Sequence, residues 1–594
     1  MEKFWRVSAG FILLIHTIGC GMNNRPQENY QVEQTPLQYH SSIQEQGGKD
    51  PVGINPNTGG KESGLSEEYH GHIQDRPISP RADIQSEESF QSLAAQKGYK
   101  SIQLLGINDL HGQLNVTRRV NGKPAGRVDY LAAYLKQREA KNKNTLLVHA
   151  GDMIGASPPV SALLQDEPTM EILNQLDFDI GTVGNHEFDE GVRELLRLIR
   201  GGTHQNTGYF AGSSYPWVVA NVFDKKTGKS LPPHKVITVD GMPIGFIGVC
   251  LSNTPNIVVE SAVAGLRFTD EVQAINDSVA KLKKQGVRAI VVLAHNPGSS
   301  SINGKNPSGE LVRIAKNIDD EVDIIFGGHN HAYMNAVVDN KLIVQSYSYG
   351  TAFSDVDLWI DPKTKDIVQK KAQIVITFQE GIQPDPKIRS MVTKYEKKVA
   401  ASVNRVIGYT TSNITSIKSE EGESALGNLI ADAQRAAMKT DFSFMNAGGI
   451  RADIGRGMIN WGELYTVLPF NNILVKMDLT GKQIRDLLNQ QWRDTGSNML
   501  QISGLKYTWD ANRPIGDKLV NVYLKDGSEI DASKTYSVTV NNFLAEGGDN
   551  FTIFRQGKNR ETGIVDLDAL VNYVQKLPKP FTYQIEGRIR KLFY

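Results

Sequence analysis

Five segments of this chain set histidines, carboxylates and carboxamides among glycines. They are Asn108-Asp109-Leu110-His111-Gly112, Gly151-Asp152, Gly184-Asn185-His186-Glu187-Phe188-Asp189, Ala294-His295-Asn296 and Gly327-Gly328-His329-Asn330-His331. Imidazole and carboxylate suit Zn, Mn, Fe or Co, and a carboxylate has two oxygens with which to bridge a pair of ions. Two divalent cations close together can clamp the attacking and leaving oxygens of a phosphoryl transfer and acidify a water between them. A single histidine after a strand is more often a hydrogen-bonded loop residue. Five such segments in series point to ligation. His149, just before Gly151-Asp152, has buried-strand neighbours and reads as packing or support for the ligands; His204 and His234 read as exposed loop residues.

The segments need elements to hold them. Apolar runs of strand length precede or reach each one: Ile102–Ile107, Leu146–Val148, Ile180–Val183, Ile244–Val249, Ala289–Leu293 and Ile324–Phe326. Between them, Val128–Glu139 and Val272–Lys284 repeat apolar residues at three- and four-residue spacing, as helices do. Strands alternating with helices predict an α/β layered domain, whose strand C-termini form one ligand-binding edge.

This combination and order of motifs resembles the calcineurin-type metallophosphoesterase superfamily, and with the C-terminal motifs below it resembles the 5′-nucleotidase family. The resemblance runs from about Lys100 to the C-terminus. It implies a four-layer α/β-β/α metallophosphoesterase sandwich followed by a smaller mixed α/β substrate-binding domain. It also implies two divalent metal ions (Zn, Mn, Co or Fe). Asp109, His111 and His331 would bind one, Asn185, His295 and His329 the other, and Asp152 would bridge them. His186 would stabilise the transferring phosphate and assist the leaving group, oriented by Asp189.

Beyond Pro384-Asp385-Pro386, Lys387–Val403 reads as one helix, which the family uses between its domains. Leu426–Ala437 and Lys482–Gln491 read as further helices and Tyr536–Val540 as a strand. Asn446-Ala447-Gly448-Gly449-Ile450-Arg451, Leu468-Pro469-Phe470 and Phe543 through Phe551 match family motifs. By that match Phe470 and Phe543 would stack on a nucleobase, Asp549 would bond the ribose, Asn446 would contact the base and Arg451 would offer its planar fork to phosphate. One position departs: Glu420 stands where these nucleotidases commonly place an arginine, with Lys418 or Arg405 as possible compensation.

The rest of the chain frames this reading. Its 594 residues balance 65 basic against 65 acidic side chains, so net charge gives no reason to expect a nucleic acid polymer as partner. Two cysteines exclude a disulfide scaffold and cysteine-based zinc fingers. Lys3 and Arg6 before the apolar run Val7–Ile18 read as an export signal too short to span a bilayer. Its end, Thr17-Ile18-Gly19-Cys20, resembles a bacterial lipoprotein signal with Cys20 as the lipidated residue, although Thr17 stands where Leu is usual; a plain secretory signal is the alternative. Cys250 then has no internal partner. Residues 21–98, rich in Gln, Glu, Ser, Gly, Asn and Pro, read as a disordered tether.

The expected organisation is a signal at 1–20, a tether at 21–98, a metallophosphoesterase domain at 99–380, an interdomain helix at 381–403 and a substrate-binding domain at 404–594. The expected protein is an exported hydrolase, membrane-anchored or secreted. It would remove phosphate from nucleoside 5′-monophosphates and, as relatives do, open 2′,3′-cyclic nucleotides or split nucleotide sugars. Two alternatives stay open. One keeps the metal site with a non-nucleotide phosphate or sulfur ester as substrate. The other is a surface-tethered nucleoside-binding protein with an inactive site.

Overall fold

The computed structural model describes residue 94, residues 96–494 and residues 496–592. The expected export signal, Cys20 and the expected tether up to residue 93 lie outside them. Residues 94, 96 and 97 are helical. Ala94 is buried, and its carbonyl accepts the Tyr99 N–H at 3.0 Å after the left-handed Gly98 (φ 68°). Described helical residues thus stand just ahead of the expected boundary at 99, with Gly98 at the helix end.

The first folded part contains β1 (Lys100–Ile107), α1 (Val128–Glu139), β2 (Thr145–His149), α2 (Glu167–Gln175), β3 (Ile180–Gly181), β4 (His234–Val239), β5 (Met242–Cys250), α3 (Glu271–Lys284), β6 (Ala289–His295), α4 (Glu310–Ala315), β7 (Val322–Phe326), β8 (Tyr333–Val338), β9 (Lys341–Ser346), β10 (Ala352–Ile360) and β11 (Ile367–Ile376). One sheet runs in the order β11-β10-β1-β2-β3 and the other in the order β8-β9-β7-β6-β5-β4. In both, the central strands are parallel: β1, β2 and β3 in one, β5, β6, β7 and β9 in the other.

Successive strand residues point to opposite faces, and here both faces are covered. Leu104, Val148, Phe246, Val291 and Ile324 meet between the two sheets. Leu105 and Leu147 pack outward on Leu131 and Leu135 of α1. Ile247 and Val292 pack outward on Val279 and Leu282 of α3 and Leu311 of α4. This is the four-layer arrangement. Each fully buried Leu, Ile or Val adds about 1.5–3 kcal/mol, which is why the strands read as near-continuous apolar runs. Cys250, at the end of β5, is buried and unpaired.

Helix α5 (Pro386–Val403) starts with Pro386 in its first turn, and the Asp385 side chain accepts the Ile388 N–H at 2.9 Å. Its Ile388, Val392 and Tyr395 enter the core under α1. The mixed region beyond holds α6 (Ala425–Met438), β12 (Phe442–Met445), α7 (Trp461–Val467), β13 (Ile473–Thr480), α8 (Gly481–Asn489), β14 (Gln501–Ser503), β15 (Leu505–Asp510), β16 (Leu519–Leu524), β17 (Thr535–Asn541), β18 (Lys558–Val565), α9 (Asp566–Lys576) and β19 (Ile589–Leu592). Its sheets run β14-β12-β17-β13-β18 and β16-β15-β19.

Three expectations need correction. The apolar run Ile180–Val183 forms a strand only over Ile180–Gly181, after which the chain turns into the site. His204 ends a short strand (Gly202–His204) and His234 begins the edge strand β4; both are half-buried rather than exposed loop residues.

Candidate active site

The parallel strands of both sheets deliver their C-terminal ends to one edge. Asp109 and His111 follow β1, Asp152 follows β2, Asn185 and His186 follow β3, and His329 and His331 follow β7. His295 is the last residue of β6 itself. Five of these residues take left-handed backbone angles: Asp109 (φ 51°), His111 (49°), Asp152 (55°), His329 (82°) and His331 (56°). Each such residue costs about 1–3 kcal/mol unless its surroundings enforce it. Backbone bonds between the loops do so: Asp109 N–H donates to the Gly151 carbonyl and His111 N–H to the Asp152 carbonyl, both at 3.0 Å.

The side chains converge in two adjoining groups. In the first, His111 Nε2 lies 3.2 Å from His331 Nε2 and 4.0 Å from Asp109 Oδ1, and His331 Nε2 lies 3.4 Å from the same oxygen. In the second, His295 Nε2 lies 3.1 Å from Asp152 Oδ2 and 3.2 Å from Asn185 Oδ1, and His329 Nδ1 lies 2.8 Å from Asn185 Oδ1. Asp152 Oδ2 is also 3.7 Å from His111 Nε2, so this carboxylate stands between the groups. The approach is possible because residue 184 is glycine: a Cβ there would lie 2.1 Å from Asp152 Oδ1.

The donor set fits divalent cations. His111 Nδ1 is 2.9 Å from the Gly155 carbonyl and His295 Nδ1 is 2.8 Å from the Ala150 carbonyl. A carbonyl only accepts, so each Nδ1 carries a proton, and a neutral ring turns the lone pair of Nε2 inward. Burial holds His111 well below the ordinary histidine range, and burial likewise lowers His331 and pushes His329 down to about 3. Burial also opposes charge on His295, yet Asp152 overrides it and raises His295 to about 10. Burial opposes ionisation of Asp152 too, but His295 and its neighbours hold the carboxylate well below the usual range. Three neutral imidazoles beside an ionised carboxylate, with a proton held strongly only between His295 and Asp152, suit a cation in that proton's place.

His186 stands beside both groups, and His111, Asp152 and His186 also lie close enough together to share an ion. Its Nδ1, however, lies 2.9 Å from Asp189 Oδ2, the pairing that orients a proton-carrying imidazole. Burial opposes charge on His186, while Asp189 and Asp152 outweigh it and raise its pKa. The Phe470 ring stacks on His186 with centroids 5.7 Å apart and planes 22° apart. Arg451 lies 5.9 Å from the Phe470 ring centre, and its charge opposes protonation of His111, His186 and His331.

One cavity of about 510 Å³ joins these residues to the second region: Asn446, Arg451, Phe470, Phe543 and Asp549 line it together with Asn185, His186, His329 and His331. Asn541 Nδ2 donates to Asn446 Oδ1 at 3.0 Å, and Asn446 Nδ2 donates to Asp549 Oδ2 at 3.2 Å. Phe543 rests against Gly548, where a Cβ would come within 2.5 Å of its ring. Asp189 lines the cavity too, whereas Asp109, His111, Asp152 and His295 are not in the lining and lie beside it through their contacts with His331, His186, His329 and Asn185; Cys20 lies outside the described residues.

Other positions carry a different message. Glu420 is exposed and is absent from the cavity lining, as are Lys418 and Arg405. Its negative charge therefore does not face the cavity, and the departure at this position leaves the lining unchanged. Glu423 is buried instead, accepting from Asn428 Nδ2 and from the backbone N–H groups of Glu586 and Arg588, each at 2.7 Å. His149 is packed among Phe178, Tyr215 and Trp217, with Nε2 3.2 Å from the Tyr215 hydroxyl, and burial pushes it down to about 3.

Sequence reasoning missed the cavity residues Asn471, Asn472, Asn498 and Tyr465, and the acidic wall of Asp166, Glu190 and Glu194. The Asn471-Asn472 pair after Phe470 was a readable polar signal. Asn498 had none: it directly follows a short hairpin of Trp492–Arg493 and Gly496–Ser497, between α8 and β14. It also assigned no task to Glu187, whose place inside the Asn-His-Glu segment was the available signal.

Comparison with known proteins agrees with this arrangement. Residues 102–333 match the calcineurin-like phosphoesterase family, and residues 406–556 match the 5′-nucleotidase C-terminal domain. The chain is 44% identical over 507 residues to the endonuclease YhcR of Bacillus subtilis, covering 84% of this chain but 41% of that protein. It thus spans less than half of that relative. It is 37% identical over 541 residues to the cell wall protein Lmo0130 of Listeria monocytogenes, covering 82% of this chain and 69% of that one. The crystal structure of a 5′-nucleotidase precursor from Thermus thermophilus superposes with a TM-score of 0.72 at 28% identity, covering 83% of this chain and 99% of that one.

Proposed function

The chain belongs to the calcineurin-like phosphoesterases that carry a 5′-nucleotidase C-terminal domain, and from that premise we propose that it is an exported two-metal hydrolase releasing phosphate from nucleotides. The observation that carries the reading is one cavity lined both by the candidate metal donors Asn185, His329 and His331 and by Asn446, Arg451, Phe470, Phe543 and Asp549. The first set suits phosphoryl transfer, the second a planar base, a ribose and an anion.

Two cations from among Zn, Mn, Co and Fe, one held by Asp109, His111 and His331 and the other by Asn185, His295 and His329 with Asp152 shared, would polarise phosphoryl oxygens and activate a water. The chain's own groups do the rest. Arg451 meets phosphate charge with a planar fork. His186, held through Nδ1 by Asp189, keeps a proton for the departing nucleoside oxygen. Phe470 and Phe543 offer apolar faces to the base, and Asn446 and Asp549, already bonded to each other, present polar edges. Export is supported by the order of residues 3–20 and by the cell wall relative, and a lipid on Cys20 by the order of residues 3–20 alone.

The endonuclease relative favours a second reading, cleavage of phosphodiesters in nucleic acid. A panel of AMP, 2′,3′-cyclic AMP, UDP-glucose, bis-p-nitrophenyl phosphate and a single-stranded oligonucleotide separates the two. Orthophosphate release from AMP at the highest kcat/KM is expected. Cleavage of the oligonucleotide with no turnover of AMP would replace the first reading by the second.

A further inference from the structure

Glu187 is a buried carboxylate (2% exposed) in the short turn His186–Phe188, and no lysine or arginine pairs with it among the described residues. It collects backbone N–H groups instead. Oε2 accepts from Asp152 N at 2.8 Å and from Gly184 N at 2.5 Å, and Oε1 accepts from Met153 N at 2.8 Å. Three such donors favour the ionised carboxylate, against the burial and the neighbouring Asp152 charge that oppose it. The donors come from two loops, one after β2 and one after β3. The tie is closed in the other direction by Asp152, whose Oδ1 accepts the His186 N–H at 2.9 Å. Asp152 and Asn185, the donors nearest the second group of histidines, therefore sit on loops stitched together around Glu187.

We infer that Glu187 is a positioning residue that holds the Asp152 loop against the Asn185 loop and so sets the affinity of the centre for divalent metal. The inference rests on the reading of Asp152 and Asn185 as metal donors. Glu187 itself is not a ligand: both of its oxygens are taken by backbone N–H groups. An ionised carboxylate only accepts, whereas a glutamine of the same size has one accepting oxygen and an amide that donates. Glu187→Gln must therefore set N–H against N–H at one oxygen position or the other.

The test is Mn²⁺ binding to metal-stripped full-length protein by isothermal titration calorimetry. Glu187→Gln is expected to bind Mn²⁺ about 10–100-fold more weakly, the usual loss when a ligand's support is removed. Its turnover should return toward wild type at saturating Mn²⁺. His186→Ala is expected to keep wild-type affinity and to gain nothing from added metal. Wild-type Mn²⁺ affinity in Glu187→Gln would overturn the inference. Absence of Mn²⁺ binding by the wild-type chain would overturn it together with the metal reading, whatever the substrate. A second measurement needs no variant: hydrogen exchange of the metal-stripped wild type, read by mass spectrometry over residues 150–155 and 183–186. Slow exchange is expected at the Asp152, Met153 and Gly184 amides; exchange as fast as in open loops would overturn the inference.

Discussion

Asp152 and His186 are bonded neighbours, yet their surroundings give them separate tasks. Asp152 is fully enclosed, with the His186 N–H on Oδ1 and His295 and His111 on its Oδ2 side, so its Oδ2 calls for a cation or a proton. His186 has Asp189 behind it and Phe470 on its face, an arrangement for holding and delivering a proton. Asp152→Asn is expected to lower bound metal and to cut kcat by about 10³-fold or more. His186→Ala is expected to keep the full metal content and to lose kcat by roughly 10²–10⁴-fold, the span of general acid–base catalysis. Elemental analysis beside initial rates checks both, and full metal content in Asp152→Asn would remove Asp152 from the shared position. Neither loss should be read as one residue's share, since groups that act together are not additive.

At the scale of elements, helices and strands matter by where they end. The Asp566 side chain, in the first turn of α9, accepts the Leu567 N–H at 2.8 Å, and the Asp566 N–H donates to the Asn472 carbonyl at 2.8 Å, which ties this helix to the cavity wall. Burial pushes the Asp566 carboxyl up to about 7 from an ordinary 3.8. A carboxyl whose folded pKa is raised binds more protons folded than unfolded between those values. Its contribution to stability is complete below about pH 4 and lost as pH rises through 7. Asp566→Asn is therefore expected to unfold at higher denaturant than wild type at pH 8, by an amount of order 4 kcal/mol, with the gap closing as pH falls toward 4. Denaturant midpoints at the two pH values check it, and a gap independent of pH would mean that Asp566 ionises normally in the fold. The capping box of Thr480 and Gln483 at α8 and the Asp385 cap at α5 are the same kind of end signal without a buried charge.

At the scale of the whole molecule, zero net charge gives no bulk attraction for a phosphate, so the proposed reading requires that one be met locally, at the candidate metal donors and Arg451. The expected anchor belongs to this scale as well. Cys20→Ser should move the protein from the membrane fraction to a soluble one and abolish labelling by fatty acid, whereas a wild-type protein that is soluble and unlabelled would leave the plain secretory reading. Much of the fold and site could be read from local pattern. Leu104 and Leu105 point to opposite faces of a strand that is mostly apolar from Ile102 to Ile107, so both faces had to be covered, and the donors stood out because imidazole, carboxylate and carboxamide recur after such strands. Pattern alone could not say that Ile180–Val183 would stop pairing after two residues, since its last positions turn toward Asn185. Nor could it tell that Glu420 would face solvent, that Asn498 would reach the cavity, or that Glu187 would bind three amides. Residue type and spacing along the chain determined which groups can bind a metal and which strands present them. Which groups meet across 100 to 400 residues was decided only by tertiary packing, because distances between side chains on separate loops depend on how two sheets and a second domain close around them.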